Sequence, residues 1–171
     1  MAQIIPIDNR RKNFWLTILC VGFFVGFLDA SAAVINYVLN THKNPIVISK
    51  YIASAVFGKK AYSGEPSMIF FGFLFHFLIA YSFTLLFFFL YPKINFLSKN
   101  RLLTGIIYGI FIWLVMNLFV LPLTNVAKQS FTLKPTITGI LILIVAIGLP
   151  LSYIAYNYYN HRNLERKVIT R

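Results

Sequence analysis

Apolar residues along this chain gather into four long runs, approximately Phe14–Leu39, Met68–Leu90, Leu102–Leu121 and Thr136–Tyr159, separated by polar and basic segments. Within each run the apolar character is continuous, not alternating. A run of about 20 such residues is long enough to cross a hydrocarbon core of about 30 Å as an α-helix, so the pattern predicts an all-α membrane protein with four transmembrane helices. The first run follows Arg10-Arg11-Lys12 and contains Ala30-Ser31-Ala32, which imitates the charged, apolar and small-residue regions of a secretory signal. Apolar residues continue beyond Ala32 through AAVINYVL, so the run is read as a retained span.

The stretch between the first two runs is too long for a simple turn and carries its own helix signals. Asn44 stands as N-cap, Pro45 as first helical residue and Gly58 as stop, predicting a helix over approximately 45–57. Ile48, Tyr51, Ile52, Ala55 and Val56 share one face, and Ser49, Lys50 and Ser54 the other. That is an amphipathic surface helix in the first outer loop, lying on the membrane or capping the bundle. Packing is the plainer role, a lid over a site the sharper one. Pro122 should end the third span and Gly148-Leu149-Pro150 should kink the fourth. No internal repeat or low-complexity linker divides the chain, which reads as a single domain over 1–171.

Composition agrees with this pattern. Hydrophobic residues make up 58% and charged residues only 12% of the chain, about half the charge of a soluble domain. The 16 Lys and Arg against four Asp and Glu sit almost entirely outside the runs. This charge marks topology and contact with anionic lipid in the bilayer, and nucleic acid is not an expected partner. Ten basic residues fall on the N-terminal segment, the second loop and the C-terminal tail, and six on the first and third loops. The bias predicts that both termini are cytoplasmic. Trp15, Tyr91 and the group Tyr153, Tyr156, Tyr158 and Tyr159 are expected at the interfaces. Cys20 is the single cysteine, and His42 and His161 lie at opposite ends outside the spans, so no metal site, haem site or other cofactor is expected.

Each of the first three spans carries one strongly polar residue: Asp29, His76 and Asn117. Asp29 lies 15 residues after Phe14 and Asn117 15 after Leu102, each about 22 Å along its helix, while His76 lies eight after Met68, about 12 Å from the other side. All three therefore fall at nearly one level in the outer third of the membrane. Small residues at four-residue spacing accompany each: Gly22 and Gly26 with Ala30; Gly72 with Ala80; Gly105 and Gly109. Such rows let helices approach closely, so these glycines are expected to pack helices and to turn the polar residues inward. His76 is the natural partner of Asp29, with Asn117 able to donate and accept beside them. The pair is expected to hold either a shared proton or two opposite charges. Tyr81, Ser82 and Thr84 are expected to bond back to their own helix.

The third span, TGIIYGIFIWLVMNLFVLPL, preceded by YPKI at 91–94, together with GFFVG in the first span and the histidine of the second, resembles the YagU-like bacterial inner-membrane proteins. The likeness covers the apolar skeleton of most of the chain. It implies a bacterial cytoplasmic membrane and a loose link to acid tolerance, but no reaction, ligand or catalytic residue. Some relatives carry serine in place of Asp29 and histidine in place of Asn117, which separates any role of Asp29 from the family as a whole.

Two functions are open to such a chain. One is a small transport or proton-handling protein centred on Asp29, His76 and Asn117, which favours a homo-oligomer because four helices seldom enclose a full pathway. The other is a non-transporting accessory or structural protein that meets a membrane partner through its small-residue faces. With one acid and one histidine in the membrane and no activated nucleophile, an enzyme is not expected and no catalytic residue is assigned.

Overall fold

The computed structural model describes residues 7–126 and 132–169, with side chains described over 14–126 and 132–160. Lys128 and Arg171 lie outside the described residues, as do the side chains of Arg10, Arg11, Lys12, His161, Arg162, Arg166 and Lys167. Among the described residues the chain is helical, with no strand. We label the helices α1 (Ile7–Thr41), α2 (Ile46–Phe57), α3 (Pro66–Leu90), α4 (Arg101–Val115), α5 (Leu133–Leu143) and α6 (Leu149–Ile169). A wide π turn over Met116–Val120 and a short 3-10 turn over Leu121–Leu123 extend α4, and a second π turn over Ile144–Gly148 joins α5 to α6. Four stretches are long and apolar enough to cross a membrane: Phe14–Thr41, Pro66–Leu90, Arg101–Leu123 and Leu133–Asn160.

Local chemistry sets the helix ends. The Asn44 side chain accepts from the Ile46 amide at 3.0 Å, Pro45 opens the first turn of α2, and Gly58 ends it at φ 56°. Pro66 opens α3 after an extended Glu65 that makes no side-chain cap bond, and the Asn100 side chain caps α4 through the Leu103 amide at 3.2 Å. Pro150 has no N–H, and its ring crowds the carbonyl four residues earlier. The π turn immediately before it opens the helix at that point, so α5 and α6 continue as one span. At Pro122 the wide and tight turns end the third span.

The spans run up, down, up and down. Tyr81 meets Gly22 while Phe77 and Ala80 meet Gly26, so α3 is antiparallel to α1; Ile144 meets Gly109 while Gly148 and Leu149 meet Gly105, so the fourth span is antiparallel to α4. The start of α1 and the end of α6 therefore lie at the same end of the bundle, and α2 lies at the other. Near the chain ends the interior is dry: Phe87, Phe88, Ile112, Leu151 and Ala155 are fully or almost fully buried, with Tyr108 beside them. Phe23, Phe27, Phe70, Leu118, Phe119 and Val145 point outward, each more than half exposed. A bundle with so apolar an exterior has lipid as its solvent.

Hydroxyl groups tie the helices together. Tyr108 donates to the Phe83 carbonyl at 2.6 Å, Tyr159 to that of Phe88 at 2.7 Å, Tyr81 to that of Leu19 at 3.1 Å and Ser152 to that of Arg101 at 2.6 Å. Ser82 and Thr84 bond back to Leu78 and Ala80 of their own helix, but Tyr81 does not, because its phenol is long enough to reach α1. Tyr91, at the end of α3, faces inward. It is 4% exposed, packed against Phe87 and stacked on Tyr159 at 5.2 Å. At this end Arg101 lies over Tyr156, 4.4 Å from the ring centre.

The close contacts at glycine make a packing test. A methyl group on Gly148 would collide with the Gly105 carbonyl, which is backbone and cannot turn away, whereas one on Gly139 would meet the Trp113 ring at an ordinary 3.5 Å. Gly148→Ala is expected to destabilise the folded protein by about 1–3 kcal/mol, as overpacking does, and Gly139→Ala by about 0.5 kcal/mol or less. Unfolding in mixed micelles monitored by circular dichroism measures both; equal effects would contradict the backbone contact.

Candidate functional site

Above the dry layer the helices part around a cavity of about 670 Å³. Asp29, Ala33, Asn36, Tyr37 and Asn40 recur at helical spacing and form the α1 wall. His76 and Ala80 of α3 stand on another side, and Trp113, Met116 and Asn117 on a third. Phe83, Ile112 and Ile147 make the floor. Thr41, Thr124, Lys134 and Pro135 mark the mouth, at the α2 end. Asp29 lies 11 residues from Asn40, about 17 Å down the helix.

The three polar residues singled out by depth thus line one cavity, but they do not bond directly to one another. His76 is turned toward the α1 backbone, with Nε2 2.9 Å from the Gly26 carbonyl. A carbonyl only accepts, so Nε2 carries the proton and Nδ1 is the nitrogen left to gain or lose one. Gly26 permits this approach: a side chain there would meet the Phe77 ring at 3.0 Å and the Ala80 methyl at 3.1 Å. His76 lies within electrostatic reach of Asp29. Among the described residues the Asp29 carboxylate accepts no hydrogen bond and forms no ion pair within 4.0 Å.

Asn117 is the second residue of the π turn over Met116–Val120. Its amide donates to the Trp113 carbonyl of its own helix at 2.9 Å, while the residue still lines the cavity. The remaining glycines divide their work. Gly22 and Gly26 admit α3, Gly105 and Gly109 admit the fourth span, and Gly72 faces the Ser49 backbone of α2 instead of another span.

α2 is positioned by that contact and by Asn125, whose amide donates to the Ala55 carbonyl at 3.1 Å and whose side chain donates to that of Val56 at 3.3 Å. Ser49 and Ser54, expected on a solvated face, are 7% and 3% exposed, and Val56, expected on the packed face, is 56% exposed. The helix is rotated because small side chains, not apolar ones, allow its backbone to approach Gly72. Ile48, Tyr51, Ile52 and Ala55 are thereby left facing the cavity. Burial pushes the Tyr51 phenol above its ordinary range, with Tyr62 adding to the rise, so it serves the wall as a neutral hydroxyl. Packing element and cavity wall are two faces of one helix.

Residues missed by sequence reasoning are Asn36, Tyr37, Asn40, Trp113 and Thr138, which all line the cavity. The first three were visible as a continuation of the Asp29 face at seven, eight and eleven residues. Among the described residues no cluster of three or more His, Cys, Asp and Glu is arranged to hold a metal.

Water access to the cavity gives the next test. With Cys20→Ser as background, Asn36→Cys and Thr138→Cys should react readily with a charged methanethiosulfonate, Asn117→Cys more slowly, and the outward-facing Phe23→Cys least. If Asn117→Cys were as inert as Phe23→Cys, the cavity would not be open to water at that depth. No family model matches the chain, and neither a curated protein nor a solved structure matches it.

Proposed function

We propose that this chain is a small proton-handling or transport protein of a bacterial cytoplasmic membrane, with both termini in the cytoplasm, α2 at the outer surface and the cavity as its working site. The observation that carries this reading is that Asp29, His76 and Asn117, from three different spans, line the same cavity. An ionisable group inside a membrane is expensive and is commonly kept for a task. Here Asp29 and His76 are within electrostatic reach, and His76 has one nitrogen committed to Gly26 and the other available to exchange a proton.

The orientation rests on Lys93, Lys99 and Arg101 at the end that also carries the termini. Kinship with YagU-like proteins belongs to the same proposal and supplies its bacterial setting. The accessory reading draws less support, since Gly22, Gly26, Gly105 and Gly109 meet helices of this same chain. A second copy or a membrane partner would have to use the outward apolar faces instead.

In proteoliposomes, the unmodified protein is expected to support a pH-dependent proton or substrate-coupled flux that Asp29→Asn and His76→Ala abolish while the elution profile and helix content stay unchanged. Flux unaffected by both substitutions, or no flux from the unmodified chain, would defeat the transport reading. Labelling of Asn40→Cys in intact cells by an impermeant reagent reads the orientation, and protection of that site until lysis would reverse it.

A further inference from the structure

The chemistry of the cavity also specifies what it would hold. Its volume of about 670 Å³ falls within the roughly 300–1,000 Å³ range of small-molecule sites. Most of its surface is apolar or aromatic, with Tyr37, Tyr51, Phe83 and Trp113 contributed by four different helices. Asp29 is the one acidic residue lining it. Neither of the two basic lining residues lies within ion-pair distance of that carboxylate. Lys134 is exposed at the mouth and lies about 12 Å along α5 from Ile142 deeper in the wall. His76, within electrostatic reach of Asp29, turns its Nε2 proton to the Gly26 carbonyl and gives the carboxylate no hydrogen bond.

A carboxylate so placed, with no donor from the described chain, is satisfied by a proton, by water or by a cation that brings its own apolar cover. Aromatic faces attract cations and repel anions. We propose that the cavity binds a monovalent hydrophobic organic cation, with Asp29 as counter-charge and the aromatic walls around its apolar body. Lys134 stands at the rim with its side chain exposed, and Asn36, Asn40, Thr41 and Thr138 give the cation hydrogen-bonding groups on the way in. An anion of the same size would meet Asp29 at the end of that path. This inference rests on the cavity being the working site, and it concerns binding, which is measured separately from flux.

The experiment uses the full chain in lipid nanodiscs with Trp15→Phe, so that Trp113 in the cavity wall is the only tryptophan. Tetraphenylphosphonium and tetraphenylborate have the same four-ring shape and opposite charge. The phosphonium should change Trp113 fluorescence saturably and the borate should not. Asp29→Asn should weaken phosphonium binding about tenfold or more, the loss expected when a charge-assisted contact is removed, and Asp29→Glu should keep most of it. Equal saturable binding of both ions, no saturable phosphonium binding, or full affinity in Asp29→Asn would overturn the proposal. If Asp29→Asn failed to fold, the comparison of the two ions in the unmodified cavity and the Asp29→Glu variant would still decide it. Saturable, Asp29-dependent binding without flux would uphold the cation site while defeating transport; flux without such binding would do the reverse.

Discussion

The backbone contact between Gly105 and Gly148 organises the bundle. In lipid there is no hydrophobic force drawing one apolar helix to another, so association comes from close packing and hydrogen bonds. With no side chains at Gly105, Gly109 and Gly148, α4 and the fourth span meet at the level of their backbones. Hydroxyl bonds from Tyr108, Ser152 and Tyr159 to carbonyls of neighbouring helices fasten the same half. Helices held so tightly at one end and separated by larger side chains at the other leave a space, and α2 closes one side of it. The cavity follows from uneven packing, with Thr124 and Val126 after the third span completing its edge.

That space also changes how Asp29 is tolerated. A carboxylate facing lipid would be prohibitive, and direct pairing with His76 would be one remedy. The structure takes another, turning Asp29 into a cavity with a polar mouth and directing His76 to the α1 backbone. Each group keeps capacity to bind something else. The two π turns both border the cavity, one carrying Asn117 and the other Ile147. Such turns widen a helix locally and are often found at functional sites.

Much of this was legible in the chain. Continuous apolar runs located the spans because a bilayer imposes a minimum length, and Asn44, Pro45 and Gly58 marked helix ends because capping is a local interaction. Depth counting drew attention to Asp29, His76 and Asn117, and all three line the cavity. Contacts that depend on tertiary geometry were not legible. The π turn over Met116–Val120 has no such local signal. The reach of Tyr81 to Leu19 and the burial of Ser49 against Gly72 depend on how closely two helices approach, and polarity alone ranked those side chains wrongly.

Binding and conduction place different demands on this architecture. The cavity opens at the α2 end and ends on Phe83, Ile112 and Ile147, below which Phe87 and Leu151 are wholly buried. Such a blind-ended space holds a ligand without any rearrangement. Passage to the other side requires the dry half to open, which means parting Gly105 from Gly148 and breaking bonds such as those from Tyr108 to Phe83 and Ser152 to Arg101. A ligand drives that opening only to the extent that it binds the opened form better than the closed one. The group best placed to supply such a difference is Asp29, since the proton or cation it holds decides whether a charge remains in the cavity while the helices separate.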